Sequence, residues 1–463
     1  MTQFGPGIVI VGLGPGDPES RTIATQRALD LADRIILRTR IHPGLVDLCD
    51  DPRVSDCDDL YENAEAFGRL YEQIADRVVA AAQSGSHVVF AVPGHPRFGE
   101  RSVPLIEKNA RAANVSVAVL DAVSFIDAAS NTLRIDPLAD GIQVADAEQL
   151  ASTLDAAPFA SGSLGIDPAR PLLVGQVYNR NLAAAVKIAL SRVYPDEHLV
   201  AVVRAAGVAL LPTVETVPLH ALDRQNIDHL TSVWVAPLPP LEAFRSPEAL
   251  IRIVSRLRRP DGCPWDRKQK HASLRDSVLE EAYEVADAID SGDGSELAEE
   301  LGDQLLLIAM HAQIAEEAGS FVIEDVYESI SRKLIRRHPH VFGDVVAASP
   351  DAVISTWEGV KAAEREAKGA PAVSDHPIDR LPRSMPITRK VIEILAPRTA
   401  LRSPEQPTDG DGALAEFAAL IERRIDPERA LEAALRTHRI QEPNDTGALG
   451  AVGAAKERGG TPA

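Results

Sequence analysis

Ala236-Pro237-Leu238-Pro239-Pro240 divides this chain of 463 residues into two kinds of sequence. Prolines so closely spaced cannot continue a helix or a sheet interior, so a domain boundary falls there. Upstream, short β-rich runs alternate with helical patterns. Ile8-Val9-Ile10-Val11 leads into a Gly-Pro loop, then an amphipathic stretch from Thr22 to Ala32, then Arg34-Ile35-Ile36-Leu37. That order predicts βαβ units and a mostly parallel sheet. Further strands are expected at Val88 to Val92, Val115 to Leu120, Pro171 to Val177, Leu199 to Arg204 and Thr231 to Val235, with a helix from Asn181 to Val193. Downstream the pattern is all helix. Ser246 is an N-cap ahead of Pro247, and Leu250, Ile253, Val254 and Leu257 follow at i, i+3, i+4, i+7. Helices are expected over about Leu274 to Ile289, Glu296 to Glu317 and Ile323 to Arg337, the last stopped by Pro339.

At about 150 residues per domain the length allows three modules. Lys plus Arg is 48 against 68 for Asp plus Glu, a net charge of −20, which argues against a nucleic-acid polymer as partner because phosphates need a basic face. A local basic cluster or a bound divalent cation can still admit a small anion. Cys49, Cys57 and Cys263 contain no C-x-x-C pair, so neither a disulfide framework nor a zinc ribbon is indicated, and a reducing cytoplasm is expected. No signal peptide is legible, and no apolar run reaches the ~18 residues of a membrane span.

The chemistry concentrates in the helical region. Glu280-Glu281-x-x-Glu284 lies on one predicted helix and Glu300-x-x-Asp303 on the next. Spacing of three places Glu281 over Glu284 and Glu300 over Asp303. If the Ser291-Gly292-Asp293-Gly294 turn folds the two helices antiparallel, four carboxylates meet at one level, and Mg²⁺ is the hard cation that would hold them. Two solvated acidic faces are the alternative. Against it, the stripe 300, 303, 307, 310, 314 reads Glu, Asp, Leu, Met, Ile, so the acids continue an apolar face.

These motifs occur in order with Gly262-Cys263-Pro264-Trp265-Asp266, then Lys333-Leu334-Ile335-Arg336-Arg337-His338-Pro339-His340-Val341-Phe342, then Trp357-Glu358-x-x-Lys361. Residues 245 to 368 thereby resemble the MazG-type nucleoside triphosphate pyrophosphohydrolases, an all-α family acting on (d)NTPs. The resemblance implies Mg²⁺ on Glu281, Glu284, Glu300 and Asp303, with Glu280 a helper in the outer shell and Lys333 in the catalytic set. It implies hydrolysis of a nucleoside triphosphate to a monophosphate and pyrophosphate. Lys333, Arg336, Arg337 and Lys361 would contact phosphates, with Trp265 and Trp357 on the substrate. From the residues alone, Arg336-Arg337-His338 also suits a solvated helix C-terminus, and Trp265 either stacks on a base or fills the core, the core reading being ahead. The His338/His340 pair, lacking further ligands, is set aside as a metal site.

Near the start, Gly12-Leu13-Gly14-Pro15-Gly16-Asp17-Pro18 follows a strand and precedes a helix, the place of a nucleotide-binding turn. It lacks the third Rossmann glycine and any P-loop Gly-Lys-Ser/Thr, so a bare tight turn fits as well. With His42-Pro43, Val92-Pro93-Gly94-His95-Pro96 and Asp121-Ala122-Val123-Ser124-Phe125, residues 5 to 238 resemble the tetrapyrrole (corrin/porphyrin) methylases. The resemblance implies S-adenosylmethionine bound by Gly12, Gly14, Pro15, Gly16 and Asp17, with Pro93, Gly94, His95 and Pro96 near its methionine part. Biosynthetic members carry Gly-Asp-Pro where this chain has Gly94-His95-Pro96, which departs from the pattern for tetrapyrrole methylation.

The expected architecture is multidomain: an N-terminal α/β tetrapyrrole-methylase-like domain (1–240), then an all-α MazG-type helical domain (245–368). Residues 380–440 then resemble a degenerate second MazG-like unit, with Ala413 and Glu416 where Glu300 and Asp303 would align, an unrelated helical tail being the alternative, and a disordered tail (441–463) follows. The expected function is a Mg²⁺-dependent pyrophosphohydrolase, and a homodimer. A methyltransferase with an accessory helical domain is one alternative. A non-catalytic dimerisation module fused to a sensing domain is another, though a carboxylate quartet is costly on a packing surface.

Overall fold

The structure, a computed structural model, describes residues 7–62, 67–155, 164–209, 212–345 and 349–367, with short stretches between 381 and 430. The chain forms two compact units, Met1–Glu328 and Ser329–Ala463.

In the first unit, strands β1 (Gly7–Gly12), β2 (Arg34–Leu37), β3 (Val54–Asp56), β4 (His87–Val92) and β5 (Val117–Val119) form one sheet in the order β3-β2-β4-β1-β5. All of its pairings are parallel. Helices α1 (Ile23–Leu31), α2 (Asp58–Glu62), α3 (Phe67–Ala82) and α4 (Ser102–Ala112) connect and cover it. Both faces are buried, which is why β1 and β4 read as unbroken apolar runs. The period of two still sorts their side chains. Ile8, Ile10, Val88 and Phe90 pack on one face against Leu70, Ile74, Val78 and Ile106 of α3 and α4. Val9, Val11, Val89 and Ala91 pack on the other against Ala28 and Leu29 of α1.

Helix α5 (Phe125–Leu133) leads to a second sheet of β6 (Gln143–Asp146), β7 (Leu172–Gly175), β8 (Leu199–Arg204), β9 (Thr213–Pro218) and β10 (Thr231–Val235), in the order β6-β7-β10-β8-β9. Here the expectation of a mostly parallel sheet fails. Only β6 and β7 run parallel, while β7–β10, β10–β8 and β8–β9 are antiparallel. The connection from β8 to β9 is too short for a helical crossover, so the strand must return beside its predecessor. Strands β3, β6 and β9 were not anticipated from the sequence. Each lies at a sheet edge, and β9 exposes most of its residues, so no apolar run marks it. Helices α6 (Ala147–Asp155) and α7 (Arg180–Leu190) complete this half, burying Leu150, Val186 and Leu190 against Val174, Val202 and Val233.

The proline-rich segment Ala236-Pro237-Leu238-Pro239-Pro240 carries no helix or strand and is packed down within the first unit. Leu238 is buried in the second sheet's core and its N–H donates to the Pro168 carbonyl at 2.8 Å. Helix α8 (Pro247–Arg258) begins at the predicted Ser246 N-cap. Its Ala249 enters the core of the second sheet while its Val254 packs with Leu274, Leu307 and Met310 of the helical region. Arg252 adds an ion pair to Asp167 at 2.9 Å. Helix α9 (Arg275–Ser291) ends on Gly292 at φ 74°, a left-handed residue suited to glycine. Asp293 then caps α10 (Gly294–Glu317), accepting from the Ser295 N–H at 2.8 Å. Helices α9 and α10 are antiparallel, as the contacts of Gln304 with Val278 and of Glu296 with Ser291 require.

Helix α11 (Ile323–Arg337) leads into the second unit, followed by the single turn α12 (Pro339–Phe342) and α13 (Pro350–Ala367). Ala413 and Glu416 are exposed on a helix spanning Asp409–Glu422. The predicted tail, 441–463, lies outside the described residues.

Phe90 is wholly buried in the first sheet's core. Phe90→Ala should cost about 3–5 kcal/mol, read as a lower denaturation midpoint of the full chain.

Candidate metal centre and candidate cofactor loops

The α9–α10 hairpin brings Glu281, Glu284 and Glu300 together, with one carboxylate oxygen from each within 4.8 Å of the others. The Glu281 Oε2 is buried and has no hydrogen-bond partner. An anionic oxygen in that position is costly unless a cation or a proton meets it. Desolvation, followed by the hydrogen bond and charge of Glu284, pushes the Glu281 carboxyl up to about 7, and Asp303 and Glu300 add to the shift. Glu300 is raised as well, by desolvation and then by Glu284 and Asp303. Three oxygens in one place, with repulsion enough to favour a proton on one of them, form a donor set that fits a hard divalent cation.

Asp303 is exposed and stands outside the close group, acting on it through its charge. Glu280 is also exposed and outside. Of the apolar stripe read from the sequence, Leu307 and Met310 are buried, Ile314 and Glu300 are half-buried, and the acidic end opens to solvent. Trp265 is 63% exposed, so the core-filling reading is overturned: its loop before α9 leaves the ring outside the helical core.

In the second unit, Lys333 is half-buried on α11. Arg336 and Arg337 both bind one carboxylate, that of Glu364 on α13, each with a closest approach of 2.6 Å. The two guanidiniums hold the Glu364 carboxyl down at about 2. Trp357 stands edge-on to His338, with ring centres 5.2 Å apart, and its Nε1 is buried without a partner. Lys361 is exposed on the same helix. Nothing in the sequence singled out Glu364, because an acid in an exposed-looking helix has no motif of its own.

In the first unit, strand pairing brings two loops that are distant in sequence face to face. The register aligns Gly12 with Val92, and beyond it Gly14 and Gly94 exchange backbone hydrogen bonds of 3.2 and 2.9 Å. A Cβ on Gly12 would lie 2.2 Å from the Gly94 carbonyl oxygen, so only glycine allows this approach. Gly94 itself has φ 64° and nothing within 4 Å of where a side chain would start, leaving an open face beside Pro93, His95 and Pro96. The Asp17 carboxylate accepts from the Ala209 N–H, and Gly207 packs on Pro15. A cleft of about 420 Å³ opens there, lined in part by Asp17, Ser20, Asn131 and Gly207.

The Gly207 loop has only a weak sequence signal, a glycine three residues past the end of β8. His42 borders the same loops. It accepts from the Gly44 N–H at 3.0 Å, and burial pushes its pKa down to about 4. The open face at Gly94 and the glycine-dependent approach fit a ligand lying against backbone.

Comparison with known proteins fits both halves. Residues 7–222 match the family of Tetrapyrrole (Corrin/Porphyrin) Methylases and residues 269–342 match the MazG nucleotide pyrophosphohydrolase domain. The chain therefore belongs to the family that joins a tetrapyrrole methylase domain to a MazG domain. An uncharacterized protein of Bacillus subtilis, YabN, is 38% identical over 390 residues, covering 84% of this chain and 76% of the relative. The nucleoside triphosphate pyrophosphohydrolase/pyrophosphatase MazG of Thermotoga maritima is 45% identical over 146 residues. The nucleoside triphosphate pyrophosphohydrolase of Escherichia coli K12 is 42% identical over 148. These two matches span 55% of each relative and 32% of this chain.

Because the folded-state pKa of Glu281 is raised above its ordinary 4.5, the contribution of this carboxyl to the stability of the metal-free protein should be fully present below about 4.5 and be lost as pH rises through about 7. Melting temperatures recorded against pH in chelator should show this fall, and Glu281→Gln should flatten it.

Proposed function

We propose that the MazG domain hydrolyses a nucleoside or deoxynucleoside triphosphate to the monophosphate and pyrophosphate. The observation that carries this reading is the convergence of Glu281, Glu284 and Glu300 around a buried, unpartnered Glu281 oxygen. Glu281, Glu284 and Glu300 would hold Mg²⁺, with Asp303 flanking them. Bound there, Mg²⁺ supplies positive charge that offsets what builds up on the phosphoryl oxygens. Water attacks the α-phosphorus and the bond to the β-phosphate bridging oxygen breaks. Glu280, the helper in the outer shell, would accept the proton that the water loses. Lys333, Arg336, Arg337 and Lys361 contact phosphates, and Trp265 and Trp357 offer ring faces to the nucleoside.

For the N-terminal domain, the pairing of Gly14 with Gly94 and the open face at Gly94 favour S-adenosylmethionine binding by Gly12, Gly14, Pro15, Gly16 and Asp17, with Pro93, Gly94, His95 and Pro96 at the methionine end. Methyl transfer is the second reading. Working extents are 1–240 for this domain and 245–368 for the MazG domain, with 380–440 a degenerate second unit. Leu301, Leu305 and Ile308 on α10 are each about half exposed, a surface suited to a second copy, so a homodimer is part of the proposal. The partners are nucleoside triphosphates rather than a nucleic-acid polymer. No helix among the described residues is long and apolar enough to cross a membrane. The free cysteines suit a reducing, cytoplasmic setting.

Pyrophosphate release from a panel of NTPs and dNTPs should require Mg²⁺. It should fall by about 100-fold or more in Glu281→Ala, Asp303→Ala, a loss of the several kcal/mol that charge stabilisation supplies; wild-type rates in that double variant would defeat the proposal. Calorimetry should detect S-adenosylmethionine binding to the full chain and its loss in Gly12→Ala, whereas no heat from the wild type at high ligand concentration would remove the cofactor assignment.

A further inference from the structure

The resemblance implies that Arg336 and Arg337 contact phosphates, yet the structure ties both to a single carboxylate. Glu364 Oε1 accepts from Arg336 Nε at 2.7 Å and lies 2.6 Å from Arg336 Nη2. The same carboxylate accepts from Arg337 Nε at 3.3 Å and from Arg337 Nη2 at 2.6 Å. Each guanidinium thus commits its Nε/Nη2 edge. Among the described residues, no hydrogen bond or ion pair engages Nη1 of either arginine. The carboxylate side chain is 15% exposed, whereas Arg336 is 51% and Arg337 27% exposed, so the uncommitted edges have access to solvent.

A guanidinium presents two forks, and a phosphoryl group is well matched to one fork of each of two arginines. Here one carboxylate occupies the inner fork of both and leaves two outer forks open. The local charge remains +1, from two cations and one anion. Trp357, Lys361 and Glu364 recur at intervals of four and three, so they share one face of α13. The edge-on contact of Trp357 with His338 fixes that face against the end of α11, next to the arginines. Without Glu364, two adjacent like charges would repel and each long side chain would sample many rotamers.

We propose that Glu364 is a positioning residue that fixes Arg336 and Arg337 as one preformed cradle for a polyphosphate anion. This deepens the hydrolase reading and rests on it for biological meaning, but its test does not depend on catalysis. The probe is inorganic tripolyphosphate, titrated calorimetrically into the full chain. Removing a negative charge would by itself tighten anion binding in dilute salt, so the titration is done at about 0.5 M NaCl, where the Debye length falls to about 4 Å. The wild type should bind, and the Arg336→Ala, Arg337→Ala variant should not.

Glu364→Gln, the isosteric change, should weaken binding about five- to tenfold, because two arginine side chains must then be ordered by the ligand itself. Glu364→Ala should weaken it at least as much. Unchanged helicity by circular dichroism in the Gln variant would separate the effect from unfolding. Equal or tighter binding in Glu364→Gln would overturn the proposal, as would full binding by the double arginine variant or none by the wild type. Pyrophosphate release from NTPs, assayed on the same wild-type sample, reports separately on the hydrolase reading.

Discussion

The N-terminal half depends on how closely two stretches of backbone can approach. Strands β1 and β4 pair in parallel along their whole length, and the pairing persists past their ends as Gly14 and Gly94 bond to each other. Any side chain on Gly12 would push the two loops apart. The candidate cofactor loops are therefore a direct extension of the sheet, and sheet stability and loop position are one quantity. At the C-terminal ends of parallel strands, where loops from different strands converge, such an arrangement suits ligand binding.

The helical half works from the opposite constraint. Its candidate centre is held in place against its own repulsion, since Glu281, Glu284 and Glu300 meet because α9 and α10 are locked by apolar packing lower down, around Val254, Leu274, Leu307 and Met310. The energy of that core is what permits three carboxylates to share a small volume. A cation entering the cluster would relieve the repulsion. The proton that otherwise collects on Glu281 is the same relief in another form. The pair Arg336 and Arg337 shows the converse solution, two like charges reconciled by one half-buried carboxylate.

Legibility followed burial and local spacing. The interior strands β1, β4 and β8 carry continuous apolar runs and are apparent in the sequence, whereas the edge strands β3, β6 and β9 are short or exposed and carry no such signal. The α9–α10 turn was legible because its residues have individual conformational roles, glycine for the left-handed C-cap and Asp293 for the N-cap. Trp265 shows where residue type leaves two readings open: a tryptophan flanked by proline and aspartate suits a stacking surface as well as a core, and its loop turns it outward. The direction of the second sheet was illegible for a related reason. Strand direction is a property of connections, and here short connections reversed it.

By itself, the sequence determined the change from alternating βα to all-helical pattern and the acids at spacings of three that share helix faces, because each of these rests on local chain geometry. Only the tertiary structure decided which of those acids share a volume, that Asp303 stands aside, that Gly207 and His42 join the first loop, and that Glu364 holds both arginines. Such facts depend on distances between residues far apart in the chain, and those distances are set by packing.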